Sequence, residues 1–531
     1  MRPSDQNEKK RTPTAIPRTG PRTGPRTGPR TGPSQVPSHV VVVGGGVAGL
    51  FAALALSRRG NRVTLLEAEA LPECASPVEA FELWERRGSP QSRHSHAFLA
   101  RLHNGIKELA PDLYAELLEA GAQPLPFSDL VRGTFENPEL IPEDDEIVLL
   151  ACRRITLDWV LRRHIEKSTQ AQCRNDIKVT GLIADRDEAT GLPRVKGVRT
   201  QAGSGEVEEI QADLVVDASG RNTPLATWLN EIGSAKLEKD SEGCGIFYCS
   251  RFYRILDNVE TPSLEGPIGG DLGYLKYAIF MGDSRIFSIT LAASPDDAPL
   301  RKIRNPDIFQ AVAQSLPTTC RWVDSAIAEP ITDVYTYANL KNVRRHFIAD
   351  GQPLALGLYP VGDALLHQNP ISGRGCTSAW VTAWLLADAY AENPDDPLAF
   401  ALAMDQGVNR ELVPWYANQI EQDRAARERS EVDVRGEDPF AFQREDGSVD
   451  PKAYMRSVLA HGLVPALRED IVVMRAVMRV FNMLEDPRDL MAAPDLLGRV
   501  LGVWGRREER EPLRMGPDRG EMIEKIASAS P

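Results

Sequence analysis

The sequence predicts an α/β fold: a parallel-sheet domain of strand–turn–helix units, a mixed β-sheet domain inserted into it, and a C-terminal helical region. Three patterns point that way. An apolar strand runs into a glycine turn and a helix at 40–56 and again at 354–377. Residues 245–290 are rich in Tyr, Phe and Ile with Gly-Gly and Gly-Asp turns between them, as in the strands of a mixed or antiparallel sheet. From Pro397 onward, apolar residues recur at helical spacing almost throughout.

The 531 residues, 42% hydrophobic and 26% charged, suit a globular protein of two or three domains with a large core. Seven cysteines, an odd number without a Cys-x-x-Cys pair, suggest neither a disulfide framework nor a zinc site, and fit a reducing cytoplasm. The net charge of −13 is uneven: residues 1–39 carry eight basic and two acidic side chains, a net +6, which leaves −19 on the rest. An acidic body makes nucleic acid an unsuitable partner, because phosphate binding needs clustered Lys and Arg.

Taken in order, the first element is a tail with four copies of Pro-Arg-Thr-Gly at 17–32, which has too few apolar side chains to offset its ordering entropy and reads as disordered up to residue 39. No continuous apolar stretch follows its charges, so it is not a secretory signal. The most apolar run, 40–56, is interrupted by Gly44, Gly45 and Gly46 and falls short of the roughly 20 residues that cross a bilayer. It reads instead as a buried strand, a turn and a helix. Its Gly-x-Gly-x-x-Gly has a physical logic: Gly44 permits the tight turn, Gly46 lets a pyrophosphate approach the backbone, and Gly49 lets helix and strand pack closely. A second strand, 61–66, ends in Glu67, 21 residues after Gly46, where a carboxylate can hold ribose hydroxyls and repel a 2′-phosphate. This motif serves NAD and FAD alike.

Phe98, Leu102, Ile106 and Leu109, then Leu113, Leu117 and Leu118 after Pro111, predict two short helices ending at Gly121. Residues 177–183 and 197–207 alternate and end in turn residues, as hairpin strands do. Residues 458–484 interleave Leu459, Leu463, Leu467, Ile471, Val477 and Phe481 with charges and predict a helix packed over a substrate site; Asp470, Glu485 and Asp486 argue against its lying on anionic lipid, so membrane contact is not expected.

The second strand–turn–helix contains Val361-Gly362-Asp363-Ala364, then Asn369-Pro370-Ile-Ser-Gly373-Arg374-Gly375-Cys376. Here the chain resembles the glutathione-reductase-type FAD proteins, and more closely the single-component flavin hydroxylases of the aromatic-hydroxylase-like superfamily. The resemblance implies FAD as cofactor. It further implies that Gly362 and Asp363 hold the ribityl chain and pyrophosphate, while Gly375 and Cys376 present a helix terminus to the flavin N1/C2=O edge, where its dipole favours the anionic reduced flavin. Asp217-Ala-Ser-Gly220 resembles the third fingerprint of that fold, which implies that Asp217 belongs to the cofactor site, and Arg154-Ile-Thr-Leu157 with Leu161 resembles its arginine-bearing helix, so Arg154 is expected to reach FAD. Hydroxylases that take hydride directly from NADPH usually show Asp-Gly at the third fingerprint. The version here looks more like flavin halogenases, prenyl reductases and epoxidases, and implies a separate flavin reductase.

The stretch Gly88-Ser-Pro90-Gln91-Ser-Arg93-His94-Ser-His96 resembles the flavin epoxidases of polyether antibiotic pathways. The alternation of His94 and His96 puts them on one face of an extended segment, where they either position FAD and relay a proton, since His titrates near neutral pH, or only shape the pocket. His367 stands under the same two readings. A metal centre is not expected, since no third ligand sits at a recognisable spacing, and Cys376 has no paired base for nucleophilic work.

The resemblance implies an FAD-dependent monooxygenase that transfers one oxygen atom of O2, through a flavin C4a-hydroperoxide, to an apolar organic substrate in secondary metabolism, as alkene epoxidation or hydroxylation. A flavin halogenase, a prenyl-type alkene reductase and a non-catalytic FAD-binding protein are the alternatives; the first lacks the Trp-x-Trp-x-x-Pro pattern of its group. The expected division is a basic tail at 1–39, an FAD domain at 40–104, 150–240 and 341–396, a substrate domain at 105–149 and 241–340, and helices at 397–531. Phe247, Tyr248, Phe252, Tyr253, Tyr274, Tyr277 and Phe280 are expected either to line the substrate pocket or to pack the sheet.

Overall fold

The computed structural model describes residues 37–262, 268–444, 446–511 and 515–529, so all but the last three residues of the expected tail lie outside the described residues. Along the chain come β1 (His39–Val43), α1 (Val47–Arg58), β2 (Arg62–Leu66), α2 (Arg154–Ser168), β3 (Gln172–Arg174), β4 (Leu214–Asp217), β5 (Phe247–Ile255), β6 (Leu275–Met281), β7 (Ile286–Ala293), β8 (Leu358–Pro360), α3 (Gly375–Glu392) and α4 (Val413–Val434).

The fold is mixed α/β around a parallel sheet in the order β8-β4-β1-β2-β3. The run of valines Val40–Val43 occupies its centre because such a strand is covered on both faces and needs apolar residues at every position. For the same reason α1 is buried almost all round, packed between the sheet and α3. The two short helices expected after residue 98 are present at Ala100–Leu109 and Pro111–Glu119.

Two expectations need correction. Residues 197–207 do not form one strand: the strand Pro193–Ala202 ends before Gly203, and a turn at Gly205, with φ of +90°, starts a third strand, Val207–Gln211. The hairpin is therefore a three-stranded meander. Residues 458–484 are not one helix either. A π turn at Leu459–Leu463 leads into Val464–Glu469, and Asp470 then turns extended and accepts the Val472 N–H as the cap of a new helix, Ile471–Phe481.

The second sheet is antiparallel, with β7 between β5 and β6, and has a separate core in which Tyr253 stacks on Phe287. Helices from Pro397 onward lie against the edges of both halves. Among the described residues, no helix is long and apolar enough to cross a membrane.

Candidate functional site

A single cavity of about 1230 Å³ runs from the glycine turn after β1, past the start of α3, to an apolar chamber between the antiparallel sheet and the C-terminal helices. At the turn, Gly44 has φ of +106°, and a Cβ there would stand 2.5 Å from the Ala218 carbonyl oxygen. A Cβ on Gly49 would come within 1.8 Å of the Gly44 carbonyl oxygen, so Gly49 works by close packing and Gly46, on the cavity wall, by leaving the helix start bare. The Glu67 carboxylate accepts the Gly45 N–H at 3.1 Å and the Glu69 N–H at 3.0 Å. Sequence reasoning missed its partner, Arg86, which donates to Glu67 at 3.2 Å and to the Gly45 carbonyl at 3.1 Å. Nothing marks Arg86 in the sequence, because its role comes from a loop folding back over the turn.

Gly362 and Asp363 divide their work. Gly362, with φ of +55° and a virtual Cβ 2.5 Å from that of Ala48, permits contact with α1 and is absent from the wall, whereas Asp363 lines the cavity. Its carboxylate lies 3.9 Å from His367 Nε2, and His367 Nδ1 is tied to the Lys341 carbonyl at 2.7 Å. At the start of α3, a Cβ on Gly375 would meet open space. Arg154, on the wall, donates to Asp158 at 2.9 Å and to Cys376 Sγ at 3.4 Å. Burial pushes the Cys376 thiol up to about 11, so it stays protonated and is not a nucleophile.

The loop before α3 is held from outside. One buried carboxylate, Asp423 on α4, accepts from the amides of Asn342 at 2.6 Å, Asn369 at 2.8 Å and Gln419 at 2.9 Å. Gln419 in turn accepts from Ser372 at 2.5 Å and from Arg374 at 3.3 Å, so a helix remote in sequence sets the turn that aims Gly375.

Asp217 is placed differently from expectation. It is fully buried off the cavity wall, and its oxygens accept from the Ser219 N–H at 3.0 Å, the Ser219 hydroxyl and the Thr223 hydroxyl. It shapes the turn; its neighbours Ala218, Ser219, Gly220 and Arg221 line the cavity.

The histidines do not face the cavity together. His94 is turned to the antiparallel sheet, its Nδ1 3.0 Å from Ser250 Oγ and its ring between Tyr248 and Tyr337, while His96 lies on the wall with Nδ1 3.0 Å from the His94 carbonyl. Burial, helped by their mutual proximity for His94 and by Arg154 for His96, lowers both to about 3. Both are therefore neutral at working pH, contrary to titration near neutrality. Of the seven aromatic residues expected to line or pack, Tyr248, Tyr277 and Phe280 line the cavity; Phe247, Phe252 and Tyr253 pack inward, and the Tyr274 hydroxyl donates to the Pro517 carbonyl at 2.7 Å. Unforeseen in the wall are Phe127 and Leu130.

The donor set fits FAD. A bare helix start faces one end of the cavity, the carboxylates Glu67 and Asp363 line it as acceptors of the kind ribose and ribityl hydroxyls need, and both amide atoms of Gln368 and Oγ of Ser378 reach the wall buried without a partner among the described residues.

A family model described as FAD dependent oxidoreductase matches residues 39–131. The chain is 29% identical over 410 residues to Protein Rv3254 of Mycobacterium tuberculosis, covering 72% of this chain and 79% of that one. It is 28% identical over 194 residues to the flavin-dependent halogenase armH4 of Armillaria mellea, covering 35% and 33%. Among solved structures, the flavin-dependent brominase Bmp2 superposes with a TM-score of 0.53 at 18% identity, over 88% of this chain and all of that one. The probable FAD-dependent monooxygenase pqsL of Pseudomonas aeruginosa gives 0.50 at 15% identity, over 74% and 96%; at these identities the likeness is one of fold. Motif, donor set and family model together make this chain an FAD-dependent oxidoreductase.

Proposed function

We propose that the chain is a flavin monooxygenase with a glutathione-reductase-type FAD domain, transferring one oxygen atom of O2 to an apolar organic substrate, by preference as epoxidation of a polyene-like alkene. The observation that carries this reading is the continuity of the cavity from the pyrophosphate turn to a chamber walled by Phe127, Leu130, Phe280, Val477 and Phe481. FAD, when bound, supplies two electrons and the reactivity toward O2. The rest belongs to the chain. Gly44, Gly46 and the start of α1 hold the pyrophosphate; Glu67, braced by Arg86, accepts from ribose hydroxyls; Arg154 and Asp363 hold the ribityl side. Gly375 and Cys376 offer backbone N–H groups and a helix dipole to the flavin's pyrimidine edge. Gly49, Asp217 and Gly362 act by shaping the backbone beneath. The apolar wall excludes water, and His96, neutral and fixed, orients groups at the boundary between cofactor and chamber.

The FAD domain in this reading is 40–104, 150–240 and 341–396, the substrate domain 105–149 and 241–340, and the helices of 397–531 close the chamber. Asp217-Ala-Ser-Gly220 supports a separate cytoplasmic flavin reductase as electron source: NADPH alone is expected to reduce the FAD slowly in stopped flow, and fast reduction without a partner would remove that part. The names of armH4 and Bmp2 favour halogenation as a second reading. The deciding experiment incubates chemically reduced protein with candidate polyenes, bromide and heavy-isotope O2. A product heavier by one labelled oxygen is expected; a brominated or hydrogenated product would overturn the reading.

A further inference from the structure

The antiparallel sheet carries a polar feature that cofactor binding does not use. Ser250 on β5 and Thr290 on β7 are register partners, and both lie under the loop that carries His94 and Ser95. His94 Nδ1 is 3.0 Å from Ser250 Oγ, Ser250 Oγ is 2.8 Å from Thr290 Oγ1, and Thr290 Oγ1 donates to Ser95 Oγ at 2.8 Å. Thr290 and Ser95 are on the cavity wall; His94 and Ser250 lie behind it, almost wholly buried.

Each hydroxyl has one proton, so the direction of the whole chain follows from its last bond. With Thr290 donating to Ser95, Ser250 donates to Thr290, His94 donates its Nδ1–H to Ser250, and the Ser95 proton is left for the cavity. A neutral imidazole is the form this requires, with a proton on Nδ1 and a lone pair on Nε2. A purely mechanical staple between loop and sheet needs one such bond, not an ordered series ending on the wall.

We propose that His94, Ser250, Thr290 and Ser95 form a proton relay that delivers one proton to oxygen reduced in the cavity. The proposal rests on the oxygen chemistry of the reading above. Reduction of O2 to H2O2 takes two electrons and two protons; the reduced cofactor, itself oxidised, brings both electrons and one proton, and the relay brings the other. The reduced oxygen takes the Ser95 proton, Ser95 takes that of Thr290, Thr290 that of Ser250, and Ser250 that of His94 Nδ1, while Nε2 takes a proton from solvent water. The imidazole ends neutral in its other tautomer, and no charge is left buried.

The test needs O2 alone and no organic substrate. FAD-loaded protein is photoreduced, mixed with air-saturated buffer in H2O and in D2O, and its reoxidation followed by flavin absorbance. General acid catalysis contributes about 10²–10⁴-fold, so Ser250→Ala and Thr290→Val are each expected to slow reoxidation about tenfold or more. Thr290→Ser, which restores the hydroxyl, recovers most of the lost rate, and the double variant is no slower than the slower single. The wild-type isotope effect is expected to curve with deuterium fraction, as for several protons in flight, and to become linear in the variants. Nitrogen NMR of the FAD-free protein is expected to show His94 protonated on Nδ1. Unchanged reoxidation in both variants, a wild-type proton on Nε2, or lost FAD retention with normal reoxidation of the loaded fraction would each overturn the relay. Failure of the monooxygenase reading appears elsewhere, as absence of labelled oxygen in the organic product.

Discussion

The two walls of the cavity are built differently. On the parallel-sheet side the wall is largely backbone: Gly44–Gly46, Ala218–Gly220 and Gly375 stand at the ends of successive strand–helix units, each no more than 15 residues past the strand that precedes it. On the other side it is side chains from remote segments, with Phe127, Tyr248, Phe280, Thr290, Val477 and Phe481 meeting across some 350 residues of sequence. Backbone recognition tolerates few residues and leaves a motif. Apolar volume can be filled by many side chains, so the facing wall leaves none. The halves are joined where Arg153, preceding α2, donates to Asp283 between β6 and β7 at 2.5 Å, with Thr156 donating to the same carboxylate at 2.6 Å.

If the first wall depends on backbone approach, Gly49→Val should do the most damage. Its Cβ would sit 1.8 Å from a carbonyl oxygen that cannot move without opening the turn. Expression should yield little folded protein and no flavin absorbance. Retention of FAD near the wild-type level would break the comparison.

Next comes the joint. Removing one partner of a buried pair costs about 3–5 kcal/mol because the other charge is stranded, and Asp283→Ala should lose that much in urea unfolding. Burial by itself would raise the Asp283 carboxyl, but the hydrogen bond and charge of Arg153, with Thr156, more than reverse this and hold it below the usual range. Its contribution is thus complete above the unfolded carboxylate value and lost as pH falls through the lower folded one. Asp283→Asn should therefore flatten the acid end of the stability profile, and an unchanged acid transition would sink that assignment.

Glu67→Ala should act on the cofactor more than on the fold. Hydrogen bonds to a charged group are worth about 1.5–3 kcal/mol, so FAD dissociation should weaken about tenfold to a hundredfold by fluorescence titration. Phe481→Ala sharpens the other side: a ring 41% exposed at the chamber edge should cost about 1 kcal/mol or less in stability and leave FAD affinity unchanged, while binding of an apolar fluorescent probe weakens. Loss of FAD from this variant would mean that the two walls are not independent.

Much was legible in the residues alone. The valine run, Gly44-x-Gly46-x-x-Gly49, Glu67 and the second strand–turn–helix specify a parallel sheet with two strand–turn–helix crossings whose turns line one cavity, because the constraints involved, positive φ, close backbone approach and burial on both faces, act over a few bonds. The division between lining and supporting residues was not legible. Asp217 ends an apolar strand and Asp363 lies in the turn just after one, yet only Asp363 reaches the cavity, since neighbouring hydroxyls consume both oxygens of the other. Arg86 over the turn, Asp423 behind the α3 loop and the Ser250–Thr290 pair beneath the His94 loop join segments 19 to 195 residues apart. Their polar atoms needed partners once burial removed water, and which partners they met was decided by how the sheets and helices packed, a relation that no local spacing in the chain records.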